Sequence, residues 1–289
     1  MKNILITGAT GNVGMALIKA LVELNTNFEI YAGIRDVEKD KLALSGFQLK
    51  TIHFDFNEIN TFKPALERCD ILFLLRPPQI SEVTKIFKPL IESAIQSAVK
   101  HIVFLSVQGV EKSKIIPHHK IEKLIVESNI NYTFLRPAYF MQNFTTTLLK
   151  DLLLNKRIFL PAGKAKFTIV DITDIGKVAA KIITDSTGHV NKSYELTNHE
   201  KLSFSEMAEK LSKGLNTVIK YISPNLFSFF IVKRKEKMPV MLILVMIMLH
   251  YLPRFQKEPE TTDWVNKISK DEPKTFDKFV FDNKNLLNP

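Results

Sequence analysis

A chain of 289 residues with 45% apolar and 24% charged side chains can bury a large core, which excludes a disordered polypeptide and fits an α/β unit with or without a smaller appended part. Lysine and arginine (40) outnumber aspartate and glutamate (30), for a formal charge of +10. The lysines are scattered among acids, with one cluster at Lys233-Arg234-Lys235-Glu236-Lys237, so the surplus reads as a solvated surface; with no nucleic-acid motif beside it, no nucleic-acid partner is expected.

Lys2 to Thr7 is an apolar strand that runs straight into a glycine-rich turn. Val13, Leu17, Leu21 and Leu24 then share one face of a helix. Phe28 to Ile34 and Leu49 to Phe54 are the second and third strands. Asp70 to Leu75 is the fourth, closed by Arg76-Pro77-Pro78 because proline cannot donate to a ladder. A helix over Glu82 to Val99 precedes a fifth strand, His101 to Leu105. A helix through Ile121 to Val126 precedes a sixth, Tyr132 to Leu135, ending at Arg136-Pro137. Beyond it the rhythm changes. Phe140 to Leu154 reads as helix, Phe167 to Val170 as a short strand, Thr173-Asp174 as the cap of a helix reaching Ile183, and Ser193 to Leu196 as a last strand. From Leu202 onward helices dominate: Ser203 to Leu211 with a serine cap, an apolar segment from Met238, and Thr261 to Ile268.

Strand and helix alternate six times in the first 136 residues. That is the pattern of a Rossmann-type, doubly wound parallel sheet, here with a smaller, mainly helical C-terminal part. The expected division is a nucleotide-binding domain over 1–198, with 137–167 contributing to a substrate pocket, and a helical part over 199–289. No linker or internal repeat separates them, so the second part is expected to pack on the first.

The lone cysteine, Cys69, permits no intrachain disulfide and reads as a structural thiol in a reducing compartment. The N-terminal apolar run is too short for a signal peptide, and a cytoplasmic location is expected. The run Met238 to Leu249 is roughly half of the ~20 residues that cross a bilayer, so no transmembrane segment is expected. It reads as a buried helix or the border of an apolar pocket. The lysine cluster beside it leaves contact with a membrane surface as the alternative.

Gly8-Ala-Thr-Gly11-Asn-Val-Gly14 follows a strand and opens a helix, the context a dinucleotide fingerprint requires. Gly8 permits the tight turn, Gly11 lets the backbone approach a pyrophosphate, and Gly14 lets helix and strand lie close. The N–H groups of the helix start, at Asn12, Val13 and Gly14, bind the phosphates, and the Thr10 and Asn12 side chains can add donors. At the end of the second strand stands Ile34-Arg35-Asp36. An arginine pairs with a 2′-phosphate, whereas an acid accepts from a ribose hydroxyl. With Arg35 at the strand end and Asp36 starting the next turn, NADP(H) is expected over NAD(H). The alternative makes Arg35 a surface charge and Asp36 the ribose acceptor.

The order of ITGATGNVG (6–14), GIRD (33–36), DILFLLRPP (70–78), VKHIVFLSVQGV (99–110), PHHKIEKLIVES (117–128), NYTFLRPAYFMQNF (131–144) and VDITDIGKVA (170–179) resembles the NmrA-like branch of the atypical short-chain dehydrogenases/reductases. The likeness spans roughly residues 1–200 and is closest to the NAD(P)H:quinone oxidoreductase-like subgroup. It implies that Asp55 and Phe56 flank an adenine, and that Leu74, Leu75 and Arg76 line ribose and pyrophosphate. Ser106 and Val107 would lie beneath a nicotinamide. Pro137, Ala138 and Tyr139 would meet its carboxamide, with Gln108, His118, Tyr139 and Phe140 in the substrate pocket.

Dehydrogenases of this kind use a Tyr-x-x-x-Lys pair for proton transfer. Here the Lys position is His118 and the Tyr position Lys114, so tyrosine-assisted carbonyl chemistry is disfavoured. A quinone needs only its ring held against the nicotinamide in a dry pocket, with a proton from water or a histidine. His118 is therefore the candidate proton donor, unless it merely precedes the helix after Pro117; His119 is a weaker candidate. The remaining histidines have no ligand-like spacing, and no metal is expected. Tyr139, Phe140, Met141 and the Met238–Leu249 helix would supply an apolar or aromatic acceptor site. Three functions stay open: a hydride-transferring oxidoreductase, a non-catalytic NADP(H) sensor acting through a protein partner, and a reductase of sugar or isoflavone-like substrates. A homodimer is compatible with each.

Overall fold

A computed structural model describes residues 2–288 apart from Thr26, Ser81 and Ile115. It resolves into two compact units. The first comprises residues 1–137, 172–196 and 264–271, and the second 138–171, 197–263 and 272–289. The expected single break after residue 198 is thus replaced by an interleaved division. The physical reason lies in the sheet: strand Lys192–Leu196 pairs with the strand ending at Pro137, so the chain must leave the first unit and return to it.

The first unit is a seven-stranded parallel sheet. Its strands are β1 (Lys2–Ile6), β2 (Phe28–Ile34), β3 (Lys50–His53), β4 (Ile71–Leu75), β5 (His101–Leu105), β6 (Asn131–Pro137) and Lys192–Leu196. They lie in the order Lys192–Leu196, β6, β5, β4, β1, β2, β3. All six alternating strands read from the sequence are present, as is the added last strand. The order reverses between β1 and β4, and it is outside the carboxyl ends of strands at such a point that ligands bind in open α/β sheets. Ile71–Leu74 and all of β5 are buried, as strands covered on both faces must be. Helices α1 (Asn12–Glu23), α2 (Val37–Leu44), α3 (Phe62–Leu66), α4 (Val83–Gln96) and α5 (Pro117–Glu127) connect the strands. Phe62, Phe73, Phe87 and Phe104 are fully buried here, each contributing about 2–3 kcal/mol of transfer free energy. Cys69 is buried among them. Its thiol donates to the Ile71 carbonyl at 3.1 Å, and burial pushes its pKa up to about 12, which makes it a packing residue.

The second unit holds Tyr139–Phe140 parallel to Lys166–Val170, which pairs antiparallel with Lys201–Ser203; Arg157–Phe159 pairs with Lys220–Ile222. The continuous helix expected over Phe140–Leu154 is instead a strand residue, a short 3₁₀ turn (Met141–Thr145) and a helix from Leu149 to Asn155. Pairing of Phe140 with Val170 holds that segment extended at its start. The helix expected to start after Thr173-Asp174 begins at Ile172, which puts both residues in its first turn and not at its cap. Ser203 does cap its helix, Phe204–Leu215, in a reciprocal box with Glu206. The Thr261–Ile268 helix is confined to Trp264–Ser269. Phe144, Phe204, Phe229, Phe276 and Phe279 form the core of this unit.

Candidate functional site

At the switch point, Thr7 clips the ends of β1 and β4 together. Its N–H and hydroxyl donate to the Phe73 carbonyl (3.0 and 3.1 Å), and its hydroxyl oxygen accepts the Leu75 N–H at 2.9 Å. The chain then turns at Gly8, whose φ of +59° is the left-handed region open to glycine. The Gly11 N–H closes the turn on the Gly8 carbonyl at 2.9 Å. A Cβ on Gly14 would stand 2.3 Å from that same oxygen and 2.8 Å from the Ala9 Cα. The helix can therefore meet the loop at this distance only if residue 14 has no side chain.

Gly11 is the extended N-cap of α1, no side-chain hydrogen bond caps it, and the first turn carries no acid. The N–H groups of Asn12, Val13 and Gly14 have no partner within the helix and carry its positive dipole end. Thr10, Gly11 and Asn12 are exposed; Val13 and Gly14 are buried. A diphosphate suits this cradle: it brings charge to an uncapped helix end and needs backbone approach, not side-chain volume.

At the end of β2, Asp36 caps α2, accepting from the N–H groups of Glu38 (3.2 Å) and Lys39 (3.1 Å). Asp40 turns back to accept from the Arg35 and Asp36 N–H groups at 3.2 and 3.1 Å. Asp36 is thereby committed to the helix, while the Arg35 side chain is exposed at the strand end.

Beyond β3, Asp55 accepts from the Asn57 N–H at 2.9 Å and makes a local turn. The Phe56 ring packs in the core at 5.0 Å from Phe54 and 5.6 Å from Phe87, so it turns inward and offers backbone at the strand end. Leu74 is fully buried, whereas Leu75 is partly exposed and lies against Gly8. At the end of β5, Ser106 is 2% exposed and donates its N–H to Leu135, yet its hydroxyl oxygen has no hydrogen-bond partner among the described residues. It lies at the carboxyl end of β5, at the mouth of the parallel sheet. Gln108 is tied sideways: its N–H reaches the Pro137 carbonyl, and its amide donates to Glu195 at 3.1 Å.

Arg76 ends β4 with its guanidinium held by the carbonyls of Pro77, Pro78 and Ile80, and its Nε–H points at His118 Nε2 at 3.5 Å. Because arginine can only donate, that nitrogen of His118 is the acceptor and the ring proton sits on Nδ1. Burial, reinforced by the Arg76 charge, pulls the His118 pKa down to about 3. His118 is thus a neutral imidazole near pH 7 whose one proton is on Nδ1. Lys114 is exposed, and His119 is partly buried.

Sequence reasoning missed what positions this helix. Arg136 forms a bidentate pair with buried Glu122 (3.1 and 2.7 Å) and reaches Glu111 at 3.3 Å, pinning α5 beside β6. The signal was Glu122 between Ile121 and Ile125, an acid on the apolar stripe of α5.

Pro137 closes β6 in the first unit, and Ala138, Tyr139 and Phe140 open the second. There Tyr139 meets a residue that spacing did not reveal. Buried His250 places Nδ1 at 2.6 Å from the Met246 carbonyl, so that nitrogen carries the proton. Its Nε2 then accepts from the Tyr139 hydroxyl at 3.3 Å. Burial lowers the His250 pKa to about 4 and raises that of Tyr139. The helix that carries His250, Val240–Tyr251, buries only Ile243, Met246 and His250, against the expectation of a buried helix.

The profile of the NmrA-like family matches residues 1–279. The prestalk A differentiation protein A of Dictyostelium discoideum is 29% identical over 96% of this chain and 91% of its own length. An NAD(P)H azoreductase of Xenophilus azovorans is 28% identical over 76% of each chain. In three dimensions, an NADPH-dependent quinone oxidoreductase of Escherichia coli complexed with NADPH superposes with a TM-score of 0.86 at 21% identity, covering 96% of this chain and 98% of that one.

Proposed function

Because this chain belongs to the NmrA-like family, we propose that it is an NAD(P)H-dependent oxidoreductase that favours NADPH and reduces a quinone-like or other small unsaturated acceptor. The observation that carries the reading is the Gly8–Gly14 cradle at the uncapped amino end of α1. Its N–H groups hold the pyrophosphate, with Thr10 and Asn12 adding donors. Arg35 pairs with the 2′-phosphate, for which the commitment of Asp36 to the α2 cap is the support. Asp55 lies along the adenine, Leu75 and Arg76 along the ribose and pyrophosphate, and Ser106 and Val107 beneath the nicotinamide.

A reduced nicotinamide bound there supplies the hydride. The acceptor must also gain a proton, and the three candidate side chains described are not charged acids: His118 and His250 are neutral near pH 7, and the Tyr139 proton is engaged by His250. Water can supply it. That suits an acceptor already electrophilic enough to take hydride without prior protonation, as a quinone is. The names of the azoreductase and quinone oxidoreductase relatives agree with this class.

The test is NADPH oxidation followed by absorbance with a panel of soluble quinones. Turnover supports the reading. Tight NADPH binding without turnover on any acceptor would favour a cofactor-responsive regulator acting through a protein partner. That second reading draws on the missing Tyr-x-x-x-Lys pair and on the Dictyostelium relative named for differentiation.

A further inference from the structure

The helix Val240–Tyr251 turns one stripe, Ile243, Met246 and His250, into the second unit and leaves the rest outside. Met241 is 70% and Leu249 52% exposed, and Val240, Leu244, Val245 and Met248 lie between 41% and 47%. No acid stands anywhere in the helix. An apolar surface this continuous marks an interaction site. Four exposed cations with no carboxylate partner of their own among the described residues bracket it, Arg234, Lys235 and Lys237 before the helix and Arg254 after it, while Lys257 is paired with Glu260 at 3.0 Å. The one acid between residues 233 and 257, Glu236, is paired with buried Lys233 at 2.9 Å. At the carboxyl end the Arg254 guanidinium lies 4.9 Å from the Tyr251 ring, beside an exposed Phe255. Arginine and aromatic rings at the end of an apolar segment are the residues that anchor protein at a bilayer–water boundary.

We propose that this helix docks on the surface of an anionic bilayer, its apolar faces among the acyl-chain boundaries and its flanking cations on the lipid headgroups. Twelve residues make a helix of about 18 Å, too short to cross, and among the described residues no helix is long and apolar enough to do so. The helix would therefore lie in the interface plane. A second copy of the chain is the poorer occupant: an isologous contact would set the same four cations against each other with no carboxylate on the helix to answer them. Anionic headgroups supply the missing countercharge. This inference does not depend on the proposed enzymatic function.

The experiment is co-sedimentation of the full chain with vesicles of phosphatidylcholine alone or mixed with phosphatidylglycerol. Binding is expected to the anionic vesicles only, weakening as salt is raised. The double substitution M241E/L249E is expected to reduce it about tenfold or more, and K235Q and K237Q roughly fivefold each. Circular dichroism and a cooperative thermal melt confirm that each variant is folded; Met241→Gln is the milder replacement should the double variant fail to fold. The proposal is overturned if the wild-type chain ignores phosphatidylglycerol vesicles, or if folded M241E/L249E binds them as well as wild type. It is equally overturned if light scattering gives a wild-type dimer that M241E/L249E converts to monomer, because the second copy is then the occupant.

Discussion

The carbonyl oxygen of Gly8 occupies the position from which a side chain at residue 14 would have to start, 2.3 Å from a Cβ on Gly14. Both partners are backbone, so neither can swing aside. Gly14→Ala is expected to displace the phosphate loop, costing about 1–3 kcal/mol of stability and weakening NADPH binding more than tenfold. Gly46, around which nothing lies within 4 Å, is the control: Gly46→Ala should leave affinity unchanged. Fluorescence titration of NADPH against both variants decides it, and equal affinities would remove the loop from the cofactor site.

Arg35 and Asp36 should separate two effects that the sequence left entangled. If Arg35 pairs with the 2′-phosphate as proposed, Arg35→Ala removes a charge-assisted contact worth about 1.5–3 kcal/mol and should weaken NADPH at least tenfold while leaving NADH within about twofold. Asp36→Ala removes the cap on α2, costing about 1 kcal/mol, without altering the preference between the two cofactors. Titration of both variants with both nucleotides is the measurement. An Asp36→Ala chain that loses NADH selectively would return the ribose to Asp36.

How much of this was legible in the sequence depended on whether a signal was local. The strands of the first unit announce themselves because strands buried on both faces are uninterrupted apolar runs, and the glycine loop because its spacing is set by covalent geometry. The capping of α2 by Asp36 was half legible, since a cap lies beside what it caps. Pairings across long separations were not. Nothing near Tyr139 points to His250, and nothing near Gln108 points to Glu195, because each contact exists only once the chain has returned. The helix at Val240–Tyr251 misled for another reason: an all-apolar segment reads as core whatever covers it, and hydropathy cannot register exposure.

Three buried histidines, His101, His118 and His250, predict how the fold responds to acid. His101, 3% exposed, donates from Nε2 to the Thr133 hydroxyl, whose own proton goes to the His189 carbonyl; burial lowers the His101 pKa to about 4. His250 is lowered to about 4 for the same reason, and His118 to about 3. Above the ordinary value of 6.5 both folded and unfolded chains hold these rings neutral, and they contribute no pH dependence. Between 6.5 and about 4 the unfolded chain binds protons that the folded chain refuses. Stability therefore falls as pH falls across that window, by about 1.4 kcal/mol per pH unit for each histidine. Urea midpoints measured across the window should show this slope, reduced by about one histidine's share in His101→Gln. A flat wild-type profile would contradict the burial of these rings.

Tyr139 offers a direct test of whether this chain uses a tyrosine acid. Its hydroxyl donates to His250 Nε2, and burial raises its pKa, so it is poorly placed to protonate an acceptor. Tyr139→Phe leaves the His250 nitrogen unpaired in the second unit and should cost about 1–3 kcal/mol of stability. Turnover of the folded variant should drop by less than about tenfold, well short of the 10²–10⁴ that loss of a general acid brings. A larger loss at unchanged cofactor affinity would restore Tyr139 to the chemistry.

Ser106 is where the apo fold and the proposed cofactor would make opposite demands. Its unpartnered, buried hydroxyl is a liability to the chain alone, since an unsatisfied buried group costs about 1–3 kcal/mol. Ser106→Ala removes that group with almost no change in volume, so the apo protein should be at least as stable as wild type. If the hydroxyl faces the nicotinamide, the same change should weaken NADPH severalfold and shrink the stabilisation that saturating NADPH confers. Thermal melts with and without NADPH read both effects on one sample. A variant more stable than wild type in both conditions, with cofactor affinity intact, would mean that Ser106 is an imperfection in the packing and that β5 ends outside the reach of the bound ring.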